Sequence, residues 1–421
     1  MTHQTATHSL APEAREFTDG SWQLRYGAIF IGQAFSQIGS ALSQFILIWW
    51  ITDTTGSVAS LALAGMFALG PQAMLGPLGG TLADRYSRRF LMIASDALSA
   101  LSVVVLMYLF LTDSVELWHV YAAMFVRSAL QAFQIPAATA SVAMLVPLSF
   151  LPRAAGLNQT LQSISFIVAA PLGALALSVA PVGWALSIDV VTALMGIVPL
   201  FIWAIPQGKR GDEKTSVQRE LVDGLAFVWK HKGLRQLYLL LGVAVMVVVP
   251  SFTLVPLLVK THFAGGVQDV ALIEGMGGLG MALGGIIVAL VAPRRQLTWT
   301  LIGFSLSCLT VAFTAMVPGD WFWAAVFFWG VSGVTYVLGN APMMAMLQST
   351  IPNHMQGRAL ALLNSVMALA SPVGLAIATP IGEAIGVRSL LILVGLLSGA
   401  AMLVGFASQA LKALDGKPID E

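Results

Sequence analysis

The sequence predicts an all-α membrane protein with twelve transmembrane helices, arranged as two six-helix halves that are pseudo-symmetric. Of its 421 residues, 57% are hydrophobic and only 10% are charged, whereas a soluble domain carries about 25% charged residues. Apolar stretches long enough to cross a bilayer, which takes roughly 20 residues, recur along the chain and are separated by short polar segments. The mean hydropathy of +0.83 agrees with this interpretation.

The apolar stretches divide into two sets of six. The first set lies at 26–51, 57–82, 90–112, 117–147, 156–180 and 183–205, and the second at 236–259, 270–292, 297–317, 321–350, 359–381 and 389–408. We therefore predict two six-helix bundles, at 26–205 and 236–408, joined by a cytoplasmic linker at 206–235 that contains an amphipathic helix. Cytoplasmic tails at 1–25 and 409–421 complete the chain.

Basic residues fall on one side of the predicted membrane. With both termini inside, eighteen of the 21 Lys and Arg residues lie in cytoplasmic segments, and two, Lys260 and Arg388, lie outside. This distribution follows the positive-inside rule and predicts cytoplasmic N and C termini.

The two halves also resemble each other. The second and eighth stretches contain Gly76-x-x-x-Gly80 and Gly280-x-x-x-Gly284, each followed by paired arginines, and the fourth and tenth contain Pro136 and Pro342. Such repeats are typical of transporters whose binding site lies between the halves.

Several function classes are excluded. The net charge of +1 gives no case for nucleic acid, and the single cysteine, Cys308, excludes an intramolecular disulfide framework. No catalytic set, metal-ligand spacing or phosphate-binding loop is present, so we expect neither an enzyme nor a cofactor.

One loop carries a family signature. The pattern Gly80-x-Leu82-Ala83-Asp84-Arg85-x-Ser87-Arg88-Arg89 resembles the loop between helices 2 and 3 of the major facilitator superfamily, with Ser87 where that family usually has glycine. Further stretches, including Pro71-Gln72 and Ala132-Phe133-Gln134-Ile135-Pro136, resemble the macrolide-efflux and siderophore-exporter branch of its bacterial drug antiporters. The resemblance implies the major facilitator fold, with helices 1, 4, 7 and 10 lining a central cavity.

Arg127, within the fourth stretch, is the leading candidate for proton coupling. An arginine at membrane depth is costly and usually faces a cavity or a carboxylate, and Arg127 resembles the helix-4 arginine of proton-coupled antiporters. Glu274 and Asp189 are the candidate proton-carrying acids, whereas Asp96 is expected to be structural. The alternative is that Arg127 belongs to a fixed structural ion pair.

Polar side chains on the predicted cavity helices are candidates for substrate contact: Gln33, Gln37, Gln131, Gln134, Tyr336 and Asn340. Hydrogen bonding between helices is the alternative for each of them.

The loop motif has two interpretations as well. Its charges help to set orientation in the membrane, and by resemblance they form a conformational latch that includes Gly80, Asp84, Arg85, Arg88 and Arg89. Gly76 and Gly80 would then allow the close helix contact that the latch requires.

These expectations combine into one functional prediction. We expect a monomeric, proton-coupled exporter of amphipathic, drug-like or macrolide-like compounds, working by alternating access in the bacterial cytoplasmic (inner) membrane. Its partners would be the small amphipathic substrate, protons and the lipid bilayer. Export of a dedicated metabolite such as a siderophore, transport of a lysophospholipid, or a transport-inactive sensor or scaffold are the alternatives.

Overall fold

The computed structural model describes residues 21–205 and 225–413. Six long helices form the first half: α1 (Ser21–Thr55), α2 (Val58–Arg85), α3 (Arg88–Leu111), α4 (Leu117–Leu145), α5 (Leu151–Val179) and α6 (Val182–Ile202). In α6, a short turn at Val182–Ala185 precedes the main helix, Ser187–Ile202.

The second half repeats this arrangement with α7 (Lys232–His262), α8 (Val267–Val291), α9 (Gln296–Met316) and α10 (Phe322–Thr350). The continuous helical stretch Asn353–Val404 then contains two spans, because Gly386 has a φ of 81° and breaks it into α11 (353–385) and α12 (387–404). Only glycine adopts such a backbone conformation without strain. A short helix, α13 (Gln409–Lys412), follows.

Length and apolar character mark ten of these helical stretches as able to cross a membrane, the last of them containing both α11 and α12. The helix α4 is long enough but more polar, because it carries Arg127, Gln131 and Gln134. Counting α4 and both parts of the last stretch gives the twelve helices that the sequence predicts.

Helix boundaries differ slightly from the predicted ones. The helix α1 begins at Ser21, within the predicted tail, and α7 begins at Lys232, within the predicted linker. In the linker, residues 225–230 are helical and the others of the predicted amphipathic helix lie outside the described residues. Side-chain caps define the starts of two helices: the Ser57 hydroxyl accepts from Ser60 N at α2, and the Ser87 hydroxyl accepts from Phe90 N at α3.

Three apolar cores hold the bundle together. The largest contains residues from both halves, for example Ile46 and Leu61 with Leu254 and Trp329. It lies toward the end of the bundle that carries Lys260, hereafter the Lys260 end. The other two lie toward the opposite end, hereafter the Arg88 end, and each belongs to a single half. The halves are thus joined at one end and have separate cores at the other.

Candidate functional site

A buried ion pair links three helices of the first half. Arg127 on α4 and Asp189 on α6 are 5% and 3% exposed, and Nη2 of Arg127 lies 2.8 Å from Oδ2 of Asp189. Ser40 on α1 connects to both, because its hydroxyl donates to Asp189 Oδ1 over 3.0 Å and its carbonyl oxygen accepts from Arg127 over 3.1 Å. The structure therefore places Asp189, rather than Glu274, beside Arg127.

A second polar chain lies next to this pair. Gln134 on α4 donates to the side-chain oxygen of Gln33 on α1 over 2.7 Å. The amide nitrogen of Gln33 donates in turn to Asp96 on α3 over 3.0 Å and to the carbonyl oxygen of Gly196 on α6 over 3.3 Å. Together the two chains, hereafter the polar core, tie α1, α3, α4 and α6 to one another.

One nitrogen of the Arg127 guanidinium is left without a partner in the polar core. Nη1 of Arg127 is buried and has no hydrogen-bond partner among the described residues. A buried guanidinium that is only partly satisfied depends on its carboxylate, because removing one member of a buried pair leaves an uncompensated charge. The buried charge of Arg127 is therefore compensated by Asp189.

The other polar cavity candidates have different surroundings. Gln37 and Gln131 are exposed, and Asn340 is partly buried. The ring of Tyr336 packs edge-on against Phe304, with centroids 5.7 Å apart. Gln33 and Gln134 are engaged with each other, as the interhelical alternative describes.

Glu274 lies in the second half, in the first part of α8. It is partly buried, and no described side chain lies within ion-pair or hydrogen-bond distance of its carboxylate. This contrasts with Asp189, whose two carboxylate oxygens contact Ser40 and Arg127, and with Asp96, which accepts from Gln33.

The loop motif makes contacts within its own half. Arg88 donates to the carbonyl oxygen of Ala140 over 2.8 Å, and Arg89 donates to the carbonyl oxygens of Leu200 and Phe201. The oxygens of Leu200 and Phe201 lie in the last turn of α6, so Arg89 binds the negative end of that helix dipole, whereas Arg88 binds α4 five residues before its end.

The remaining latch residues are placed as follows. Arg85 is exposed at the end of α2, and the side chain of Asp84 lies outside the described part. The close helix contact differs from expectation, because a Cβ at Gly80 or Gly76 would meet no atom within 4 Å. Gly79 makes that contact instead, since a Cβ there would overlap the carbonyl oxygen of Ala132 on α4.

Polar contacts between the halves, which the sequence interpretation missed, occur at the Lys260 end. Lys260 on α7 lies 2.8 Å from the carboxylate of Asp53 on α1. Glu383 on α11 accepts from the backbone N–H of Ala59 over 2.8 Å and from the Ser57 hydroxyl over 3.1 Å, at the start of α2. The only sign of these contacts in the sequence was the predicted position of Lys260 on the outer side of the membrane.

Within the described residues, no group of three or more His, Cys, Asp or Glu side chains is arranged to hold a metal ion.

Sequence comparison finds efflux proteins that match most of this chain. It is 32% identical over 383 residues to macrolide efflux protein A of Streptococcus pyogenes, which covers 90% of this chain and 94% of the relative. A protein of the same name from Enterococcus faecalis is 31% identical over 324 residues, which are 76% of this chain and 98% of that one. The multidrug efflux pump Tap of Mycobacterium tuberculosis is 24% identical over 408 residues, which are 93% of this chain and 94% of that one.

Solved transporter structures share the fold. A bacterial homologue of the human lysosomal transporter Spinster, in an inward-facing and unoccupied conformation, superposes with a TM-score of 0.64 at 15% identity, covering 94% of this chain and 96% of that one. The nucleoside transporter NupG gives a TM-score of 0.69 at 16% identity, and the superposition covers 93% of this chain and 98% of that one. The sequence model of the Major Facilitator Superfamily matches residues 29–375, and this multi-pass membrane protein belongs to that superfamily of transporters.

Proposed function

We propose that this protein exports amphipathic organic compounds by alternating access, in exchange for protons. The names of its relatives support the substrate class, since they describe macrolide efflux and multidrug efflux. Identity of 32% over 90% of the chain makes a related cargo the simplest expectation.

The arrangement of the apolar cores carries the proposal of alternating access. One core is common to both halves at the Lys260 end, and separate cores serve each half at the Arg88 end. A cleft between the halves would then open at the Arg88 end, which the positive-inside rule assigns to the cytoplasm. Export requires a second state in which the Arg88 end closes and the Lys260 end opens.

The polar core supports the proposal of proton coupling. In the deprotonated state Asp189 compensates the charge of Arg127, with a separation of 2.8 Å. A proton on Asp189 would remove this compensation and free Arg127 and Ser40 to rearrange. A ligand shifts a conformational equilibrium only by its differential affinity for the two states, so the proton would act by favouring the state in which Arg127 finds another partner.

The loop motif is proposed to act at the opposite end. In this structure Arg88 and Arg89 bind carbonyl oxygens of their own half. When the Arg88 end closes, these arginines and Asp84 would become available to the second half, in a latch that Gly80 and Arg85 flank.

We further propose that the protein works as a monomer in the bacterial inner membrane, with both termini cytoplasmic. The basic residues of the Arg88 end support this orientation, because loops on the cytoplasmic side of a membrane protein carry an excess of Lys and Arg.

Transport into inverted membrane vesicles tests these proposals. Vesicles that hold the wild-type protein should accumulate a fluorescent amphipathic dye when a proton gradient is imposed, and an uncoupler should abolish the accumulation. Arg127→Ala should lose gradient-driven accumulation, whereas Arg153→Ala, a change outside the polar core, should retain it. Equal dye movement with and without the gradient would contradict proton coupling.

A substrate panel in a host that lacks its own exporters separates the remaining possibilities. Resistance to several unrelated amphipathic compounds supports the proposal. Transport of a single siderophore or of a lysophospholipid would replace it with the narrower function, and no transport of any compound would favour a sensor or scaffold.

A further inference from the structure

The first observation concerns the unpaired acid of the second half. Glu274 lies seven residues into α8, about 10 Å from the start of that helix at 1.5 Å per residue. Its carboxylate has no partner among the described residues, while Arg127 is paired with Asp189, and Lys260, near the end of α7, is paired with Asp53. An ionisable residue inside a membrane normally faces a partner or a polar cavity. Glu274 therefore has no counter-charge among the residues that the structure describes.

The second observation is the direction in which Glu274 points. A Cβ at Gly277 would lie 2.7 Å from the indole nitrogen of Trp329 on α10, and one at Gly278 would lie 2.8 Å from Ile167 on α5. Successive residues of an α-helix are rotated by about 100°, so the direction of Glu274 falls between those of the two glycines. Glu274 thus points toward the gap between α5 of the first half and α10 of the second.

The third observation is a row of aromatic rings across the same boundary. The ring of Phe166 on α5 meets that of Phe252 on α7 edge-on, with centroids 5.8 Å apart. Phe252 in turn meets Trp329 on α10, with centroids 5.2 Å apart. Phe166 is 45% exposed, whereas Trp329 is 2% exposed and its indole N–H has no described hydrogen-bond partner.

These features combine an uncompensated carboxylate with aromatic faces at the boundary between the halves. Resting on the proposed export function, we propose that Glu274, Phe166, Phe252 and Trp329 form a subsite for the protonated amine of an amphipathic substrate. The carboxylate would provide the counter-charge and the rings would contact the substituents of the ammonium group, as in other protein sites for alkylated ammonium ions. The substrate class is thereby narrowed to organic cations with a large apolar body.

The subsite explains why the second half keeps a membrane-embedded acid far from Arg127. The proton would be handled by Asp189 in the first half and the charged substrate by Glu274 in the second. The indole N–H of Trp329 remains available to Glu274 or to a substrate oxygen once the halves move. Substrate binding and proton coupling would thus depend on different residues in different halves.

Equilibrium binding to the purified full-length protein tests the subsite. The probes are erythromycin, which carries a dimethylamino group, and an analogue in which one N-methyl group is replaced by an acyl group, so that the nitrogen is an uncharged amide. Wild type should bind erythromycin more tightly than the analogue. Glu274→Gln should weaken erythromycin binding by about tenfold, the size expected for a desolvated charge pair, and change analogue binding by less than about twofold.

A matched control uses the exposed acid at the start of α4. Glu116→Gln removes one carboxylate from the same protein but lies outside the boundary between the halves, so both affinities should remain at the wild-type values. Phe252→Leu keeps an apolar side chain and should weaken erythromycin binding by a smaller factor than Glu274→Gln does.

Four results would overturn the subsite. Glu274→Gln could weaken both probes equally, which would indicate a structural role, or leave the affinity for erythromycin unchanged. Wild type could also bind neither probe, and then the proposed macrolide-like cargo fails with it. If both probes bind equally well to wild type, the export proposal survives and the ammonium subsite does not.

Discussion

The two halves of the bundle share their helix arrangement and differ in what lies between the helices. In the first half, α4 carries Arg127 and anchors a charged polar core. Counting back from Pro136 and Pro342, the equivalent residue of α10 is Gly333, where a Cβ would overlap the carbonyl oxygen of Gly277 on α8. One position is therefore a buried cation in the first half and a close backbone contact in the second.

The second half stabilises its interior with hydroxyl groups and glycines. Ser305 on α9 donates to the carbonyl oxygen of Gly399 over 2.8 Å, and Ser307 lies 3.2 Å from Ser332 on α10. Gly280 and Gly284 pack against the backbone of α10 at Gly330 and Val334. Small residues let helices approach closely in a membrane, where the hydrophobic effect does not drive them together. The first half thus holds its interior together with a charged polar core, and the second half does so with hydroxyl groups and close backbone contacts.

The largest expected effect comes from breaking the charged core of the first half. Asp189→Leu leaves Arg127 buried without compensation, so the free energy of unfolding should fall by about 3–5 kcal/mol. The measurement is the thermal unfolding midpoint of the purified protein in detergent.

The double variant Arg127→Met/Asp189→Leu sharpens this test. Replacing both charges with apolar side chains should restore most of the lost stability, because the uncompensated charge is gone. Gradient-driven transport should stay absent. A double variant that is as unstable as Asp189→Leu would show that the polar core is needed for folding itself.

An intermediate effect is expected from the glycine contacts. Gly280→Ala forces α8 away from Gly330, and Gly79→Ala forces α2 away from Ala132, so each should destabilise the protein by about 1–3 kcal/mol. Gly80→Ala is the matched control, since a Cβ there meets no atom within 4 Å. The same thermal unfolding assay reports all three, and equal midpoints for Gly79→Ala and Gly80→Ala would contradict the described contact.

The smallest effect is expected from the contact between the halves at the Lys260 end. The side chains of Lys260 and Asp53 are 31% and 60% exposed, and exposed ion pairs contribute about 0.2–1 kcal/mol. Lys260→Met should therefore raise the equilibrium constant for opening of this end by at most about fivefold. The readout is thiol labelling of a cysteine introduced at the buried position Ala64, in a Cys308→Ser background. An unchanged labelling rate would show that the Lys260–Asp53 pair does not help to keep this end closed.

The sequence predicted much of the fold because membrane insertion is a local property. Each apolar stretch is long enough by itself to span a bilayer, and each polar loop carries its own charges. Arg127 could also be singled out from the sequence, since an arginine in an apolar helix is unusual wherever it points. The twelve helices and the superfamily were confirmed on these grounds.

The partners within the site could not be predicted in the same way. Asp189 and Glu274 were both open as the acid near Arg127, and the ion pair with Asp189 depends on how α4 and α6 are rotated against each other. Helical periodicity defines the faces of a helix but not the neighbour of each face. The contact at Gly79 rather than Gly80 shows the same limit, because a shift of one residue turns the helix by about 100°.

The sequence by itself determined that this protein lies in a membrane, how many times it crosses and which family it resembles, because hydrophobic length and loop charge are read locally along the chain. The tertiary structure decided which charges meet, which acid lacks a partner among the described residues and at which end the two halves share an apolar core. Those features join residues separated by 62 positions, as in Arg127 and Asp189, or by 207, as in Asp53 and Lys260. Only the packing of distant helices brings such residues within a few ångströms of each other.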